Sequence, residues 1–134
     1  MAIEQNIKNK LIKYATDHAL DTVVIQGEII GENIQGNKYQ LKGHHLFLFN
    51  IIQNGIKSNY ITLDWFCQLT DMQYCPVLYE GYTLATTIHD EVKRAKGCSL
   101  VGIKPKREGV VIRNYDKDIS FKVINPDFLI TFDE

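Results

Sequence analysis

The feature that most limits how this chain can fold is the strongly apolar run His45–Gln53, which stops at Asn54-Gly55. An Asn-Gly pair suits a two-residue turn whose central residues take positive φ, and such a turn joins antiparallel strands. A second signal points to the same topology: Gly109–Asn114 and Ile119–Ile124 flank the polar stretch Tyr115-Asp-Lys-Asp118 and read as a hairpin. Upstream, Thr22–Ile30 is rich in β-branched residues and reads as a buried strand with Glu28 near its end. Gly31, Gly36 and Asn37 then make a loop, and Tyr39–Leu41 reads as a further short strand.

Helical spacing governs the remaining apolar residues. Ile3, Ile7, Leu11 and Tyr14, with Ala15 and His18 beyond, predict an amphipathic helix over Ile3–His18. Thr62–Met72 reads as a second helix, with Thr62 or Asp64 as its cap and Cys75-Pro76 as its stop. Val77–Tyr82 reads as a strand, and Thr87–Lys96 as a third helix closed by Gly97. No internal repeat or low-complexity linker interrupts this order. The expected fold is α+β: antiparallel sheets with two or three flanking helices.

With 134 residues, 45% of them hydrophobic and 23% charged, the chain can bury one core, and residues 1–134 are expected to form a single domain. The net charge of -1 exerts no general attraction on nucleic acid, so any such contact must be local. One local patch exists: between Lys93 and Arg113 lie Lys93, Arg94, Lys96, Lys104, Lys106, Arg107 and Arg113, against Glu108 alone. A solvated basic face accounts for it equally well. Cys67, Cys75 and Cys98 are odd in number, lack zinc-site spacing and read as reduced thiols. Glu4, Lys8, Lys10 and Lys13 occupy the start of the chain without an apolar run, which matches neither a signal peptide nor a membrane anchor. A cytoplasmic protein with no membrane contact is expected.

Four ordered segments carry the candidate chemistry. Gln26-Gly-Glu-Ile-Ile-Gly31 places Glu28 at the end of an apolar strand, where it must be solvated or bonded; a glutamate at a strand edge facing water is the plain alternative. Asn33–Tyr39 and Leu41-Lys42 lead into Leu46-Phe-Leu-Phe-Asn50, whose alternating phenylalanines are equally compatible with core packing. Arg107-Glu-Gly-Val-Val-Ile-Arg113 opens the hairpin, and Ser120-Phe-Lys-Val-Ile124-Asn-Pro-Asp-Phe-Leu129 closes it. An ordinary hairpin with Glu108 paired to Arg107 or Lys106 is the alternative there.

In this order the segments resemble the nucleotide-pocket motifs of phage and bacterial ATP-dependent RNA ligases, within the lysine-adenylating nucleotidyltransferase superfamily. The resemblance covers about Val23–Leu129. It implies that Glu28 contacts the adenosine ribose, that Phe49 rather than Phe47 stacks on adenine, and that Glu108 works through magnesium and its waters. It further implies that Lys122 contacts the α-phosphate and that Gly109 lets the backbone pass close to the nucleotide. Glu108 and Lys122 are thus the catalytic side chains carried over. Two positions depart from the pattern: Asn50 stands where relatives have aspartate, and Ile124 where many have a second lysine.

The family's Lys-x-Asp/His-Gly motif, source of the adenylated lysine, has no counterpart here. The only Lys-x-x-Gly string, Lys106-Arg-Glu-Gly109, overlaps the glutamate motif, and His44 and His45 read as surface residues at a strand entry. The chain therefore looks like the back two-thirds of a ligase adenylation domain, using ATP (AMP) and Mg2+, acting on RNA 5′-phosphate and 3′-hydroxyl ends, and not competent alone. Lys104, Lys106, Arg107 and Arg113 are the candidate RNA contacts. Three readings stay open: half of a split ligase completed by a second chain bearing the lysine, a non-catalytic nucleotide- or RNA-end-binding module, or an inert fragment. An edge left unpaired by truncation would favour a homo-oligomer.

Overall fold

A computed structural model describes residues 2–38, 40–101 and 106–132. In chain order the elements are α1 (Ala2–Asp17), β1 (Val23–Gly31), a 3-10 turn (Gln35–Asn37), β2 (His44–Gln53), β3 (Ile56–Lys57) and α2 (Tyr60–Thr70). They continue with β4 (Gln73–Tyr74), α3 (Ile88–Ala95), β5 (Gly109–Asn114), β6 (Ile119–Ile124) and α4 (Pro126–Phe132). The fold is α+β, as expected. The chain divides into two compact units, Met1–Ile29 with Leu46–Cys75, and Ile30–His45 with Pro76–Glu134.

The first unit packs α1 and α2 on a sheet of order β1-β2-β3, with β4 pairing β2. Tyr14, Leu48, Ile51, Leu63, Phe66 and Cys67 form its buried centre, ringed by Leu11, Leu20, Val23, Ile25, Leu46, Met72 and Tyr74. Tyr14 shows how a polar tip is buried without penalty. Its ring meets Phe66 edge-on at 4.7 Å, its hydroxyl donates to Gln53 Oε1 at 2.8 Å, and burial pushes its pKa up. Burial, with Asp64 adding to it, pushes the Cys67 thiol to about 11, so this thiol stays protonated and unreactive.

Asn54 and Gly55 both take positive φ, 48° and 79°, and set the antiparallel register Ile52↔Lys57 and Gln53↔Ile56. α2 starts two residues before the expected position. Its cap is Asn59, whose Oδ1 accepts from Thr62 N at 3.1 Å, so Thr62 and Asp64 lie inside the helix. Asp71 in the left-handed region ends it, ahead of Cys75-Pro76. The chain then returns beside β2 in parallel, pairing Phe47↔Gln73 and Leu48↔Tyr74, so this sheet is mixed rather than wholly antiparallel.

The second unit holds the β5/β6 hairpin in the expected register, from Gly109↔Ile124 to Asn114↔Ile119. α3 is capped by Thr87, whose Oγ1 accepts from Asp90 N at 3.1 Å. It closes at Lys96 in extended conformation rather than at Gly97, and the Arg107 guanidinium takes up its last carbonyls. Val77–Tyr82 forms no strand. It pairs with no described strand, and its end is tethered by side chains: Tyr82 donates to Glu91 Oε1, and Arg94 donates to Tyr82 Oη at 3.0 Å. Of the expected strand Tyr39–Leu41, Tyr39 lies outside the described residues, and Gln40 and Leu41 are not in a strand.

α4 was not expected from the sequence, although Asn125-Pro126-Asp127 spells a helix start: Asn125 Oδ1 accepts from Asp127 N at 3.0 Å, and proline occupies the first helical position.

Glu91 is a buried carboxylate that this unit depends on. The Tyr82 hydroxyl first, then the Ala85 N–H at 2.6 Å and the Arg94 guanidinium, hold its pKa below the ordinary glutamate value. A lowered folded-state pKa means that the stabilisation is complete above the unfolded-state pKa of ~4.3 and is lost as pH falls through the folded value. Glu91→Gln is accordingly expected to melt below wild type at pH 7, with the gap closing as pH falls below the ordinary glutamate range; parallel melting curves at all pH values would contradict this assignment.

Candidate functional site

Glu108 and Lys122 are brought together by the hairpin. Lys122 pairs with Val111 in the ladder, Glu108 immediately precedes the Gly109↔Ile124 pair, and Lys122 Nζ makes an ion pair with Glu108 Oε1. Both side chains are 42% exposed, so the pair faces solvent. Neither Arg107 nor Lys106 serves as the glutamate's partner. Gly109 is required at its position because a Cβ there would lie 2.1 Å from the Val123 carbonyl oxygen. The close approach that the structure shows at this glycine is therefore to β6 itself.

The position of Glu108 is set from beneath by Asn125, which is fully buried. Its backbone N–H donates to the Glu108 carbonyl at 2.7 Å and its Nδ2 to the Arg107 carbonyl at 2.9 Å, while its Oδ1 caps α4. Arg107 is held on its other side. Its Nε donates to Ala95 O at 2.8 Å, and its Nη2 to Arg94 O at 2.8 Å and Lys96 O at 2.5 Å. Carbonyls at a helix C-terminus carry partial negative charge and lack helical partners, so a planar cationic fork satisfies them well. α4 is itself anchored by buried Phe128, with Lys38 Nζ 5.2 Å from its ring centroid.

Of the other basic candidates, Lys106 is exposed and forms an isolated bridge with Cys98, and Arg113 is half-buried on β5 opposite Ser120. Lys104 lies outside the described residues. The three cysteines form no disulfide, and Cys98 is exposed.

Glu28 and Phe49 belong to the first unit, on the neighbouring strands β1 and β2. Glu28 is exposed and its side chain makes no hydrogen bond or ion pair among the described residues, while Phe49 is half-buried. Leu46, Leu48, Val23 and Ile25 pack in the core, whereas Phe47, Phe49 and Glu28 are not part of it. A Cβ on Gly27 would meet the Phe47 carbonyl at 2.5 Å and Leu48 Cδ2 at 3.0 Å, which explains the small residue beside Glu28. Leu48, Asn50 and Ile51 are all buried, so the alternation that holds over Leu48–Asn50 ends at Asn50–Ile51, where both faces of the strand are covered. Asn50 donates from Nδ2 to Gln26 Oε1 at 2.8 Å. His44 and His45 sit at the strand entry and donate to the Glu32 and Lys42 carbonyls, as surface residues there should.

Two residues escaped the sequence reading: Asn125, whose Asn-Pro-Asp context was a legible cap, and Gln26, whose partner is remote in sequence.

A carboxylate and an ammonium held side by side on a hairpin suit a ligand that is anionic and metal-bound, and an aromatic and an exposed carboxylate on neighbouring strands suit a base and its sugar. The chain belongs to the RNA ligase family: the model of that family, described as RNA ligase, matches residues 1–124. Solved structures of the RNA ligase of Naegleria gruberi agree. A lysine-to-alanine mutant with ATP and manganese superposes with a TM-score of 0.81 at 29% identity, covering 97% of this chain and 38% of that one. A lysine-to-methionine mutant with AMP and manganese gives 0.77 at 33% identity over 92% and 38%, and the ligase with pyrophosphate gives 0.79 at 32% identity over 94% and 39%. The chain thus spans about two fifths of the ligase it matches. No curated protein matches it.

Asn125→Ala removes the bond to the Arg107 carbonyl and the α4 cap together, and is expected to cost about 1–3 kcal/mol in urea unfolding. Asn125→Asp keeps the cap acceptor and should fall between; a loss under 0.5 kcal/mol for the alanine variant would show that this amide does not hold the hairpin base.

Proposed function

We propose that residues 1–134 are part of one RNA-ligase adenylation domain and bind the adenosine and phosphates of ATP or AMP. The observation that carries this reading is the Glu108–Lys122 pair on the hairpin, in a chain whose family and ordered motifs are those of RNA ligases. Phe49 stacks on adenine, Glu28 accepts hydrogen bonds from the ribose hydroxyls, and Lys122 contacts the α-phosphate. Lys122 there stabilises the charge that grows on the phosphate oxygens as the α-phosphorus is attacked.

Glu108 supplies the oxygen donor for magnesium. Among the described residues no three His, Cys, Asp or Glu side chains gather into a metal cluster. That fits a magnesium ion held by one carboxylate, water and the nucleotide phosphates, whose charge it would neutralise when bound.

The attacking amine comes from outside these residues, because they contain no Lys-x-Asp/His-Gly string. A segment bearing that motif, in a longer chain or in a second one, is what this reading calls for. AMP would then pass to an RNA 5′-phosphate and a 3′-hydroxyl would displace it. Lys104, Lys106 and Arg113 are the proposed RNA contacts, and the Arg107 guanidinium binds the carbonyls at the end of α3. Three thiols without a disulfide suit a reducing, cytoplasmic setting, and among the described residues no helix is long and apolar enough to cross a membrane. A second reading, a nucleotide- or RNA-end-binding module without catalysis, is favoured by one observation: Ile124 in place of a second lysine removes a phosphate-binding charge.

Two measurements separate these readings. Incubation with α-labelled ATP and magnesium should label only an added chain carrying the lysine motif; label on this chain alone would overturn the assignment, and none in either tube would favour the binding module. AMP binding by calorimetry should weaken about tenfold or more in Phe49→Ala, the loss expected for one base–aromatic stack of ~1–3 kcal/mol; unchanged affinity would remove Phe49 from the pocket.

A further inference from the structure

Building on the nucleotide-pocket reading above, we propose that the Glu108–Lys122 ion pair makes metal and phosphate binding interdependent: without metal, Glu108 neutralises the phosphate-binding lysine, and magnesium frees that lysine by drawing the carboxylate to itself.

The geometry of the hairpin supports this exchange. The glutamate's backbone is fixed by the Asn125 N–H on its carbonyl and by the adjoining β5/β6 ladder, so its carboxylate changes partner by side-chain rotation alone. Neither Glu108 nor Lys122 has another side-chain partner among the described residues. The pair is half-exposed, and such pairs are weakly held, so a divalent cation and a phosphate can displace it at little cost.

The local charge gives the exchange its consequence. Along β6, Ser120, Lys122 and Ile124 alternate onto one face, and Lys122 is the only cation of the three. While Glu108 holds it, Lys122 offers no free charge to a phosphate, and the other cation on that face, Arg113 opposite Ser120, lies toward the hairpin turn and away from Glu108. A ligase-like site with a second lysine at position 124 would keep a free cation whatever Glu108 did. Here the isoleucine makes the α-phosphate contact conditional on the metal. Because binding couplings are reciprocal, phosphate occupancy must also strengthen metal binding by the same factor.

The test is calorimetric titration of AMP and of adenosine into wild type, Glu108→Gln, Lys122→Met and the double variant, each in EDTA and again with magnesium. In EDTA, Glu108→Gln should bind AMP roughly two- to fivefold more tightly than wild type, the range of an exposed ion pair. This gain should vanish when Lys122→Met is added, and adenosine should bind all four proteins alike, which also verifies that they fold. AMP bound no more tightly by Glu108→Gln in EDTA would overturn the exchange. A gain that persists in the double variant would also overturn it, because the carboxylate would then act on the phosphate directly. Failure of wild type to bind either adenosine or AMP under any condition would refute the underlying pocket reading and this inference with it.

Discussion

A single fully buried amide organises the part of the structure that bears the charged residues. Asn125 closes β6, opens α4, and bonds to the carbonyls of Arg107 and Glu108 at the entry of β5. A buried polar side chain is stable only when its hydrogen-bonding capacity is used, and here each bond lands on a different segment. Arg107 extends the tie to the C-terminus of α3, so α3, the hairpin and α4 share one connected set of hydrogen bonds. An isolated two-stranded hairpin is marginal in water. This one is held by that network and carries Glu108 and Lys122 on a fixed backbone.

In the first unit the same task falls to apolar packing. Phe66, Leu48 and Ile51 have no exposed surface, and the helices cover one face of the sheet. The alternation of the strand at Phe49–Asn50 lets two neighbouring residues do unrelated work: Asn50 crosslinks β2 to Gln26 on β1, and Phe49 stays half-buried outside the core. The asparagine that departs from the family's aspartate thus has a structural use here, as one end of a neutral amide–amide bond that a carboxylate could not donate.

Much of this was legible in the sequence. Asn54-Gly55 announced its turn, and the β5/β6 hairpin has the boundaries that its alternation and polar loop implied, because local turn chemistry and a two-residue period specify a hairpin without distant help. α1 was likewise readable from its spacing, and α3 was placed by its range although it closes at Lys96 rather than at Gly97. Val77–Tyr82 misled, because strand-like composition cannot form a strand where no neighbour is available to pair, and pairing is a tertiary event. The start of α2 was misplaced because several residues there can cap, and only the backbone at Asn59 selects among them. α4 was overlooked although its capping residue and proline were in view.

The sequence by itself determined the family, the α+β class and the identity of the residues in the motifs, since these depend on local pattern and order along the chain. Only the tertiary structure decided what those side chains touch. It turned Arg107 from a member of a basic run into the cap of α3, joined Glu108 to Lys122 across the hairpin, and gave Asn125 its central place. Each of these rests on groups remote in sequence, whose meeting depends on strand register and helix placement, and no spacing rule along the chain encodes it.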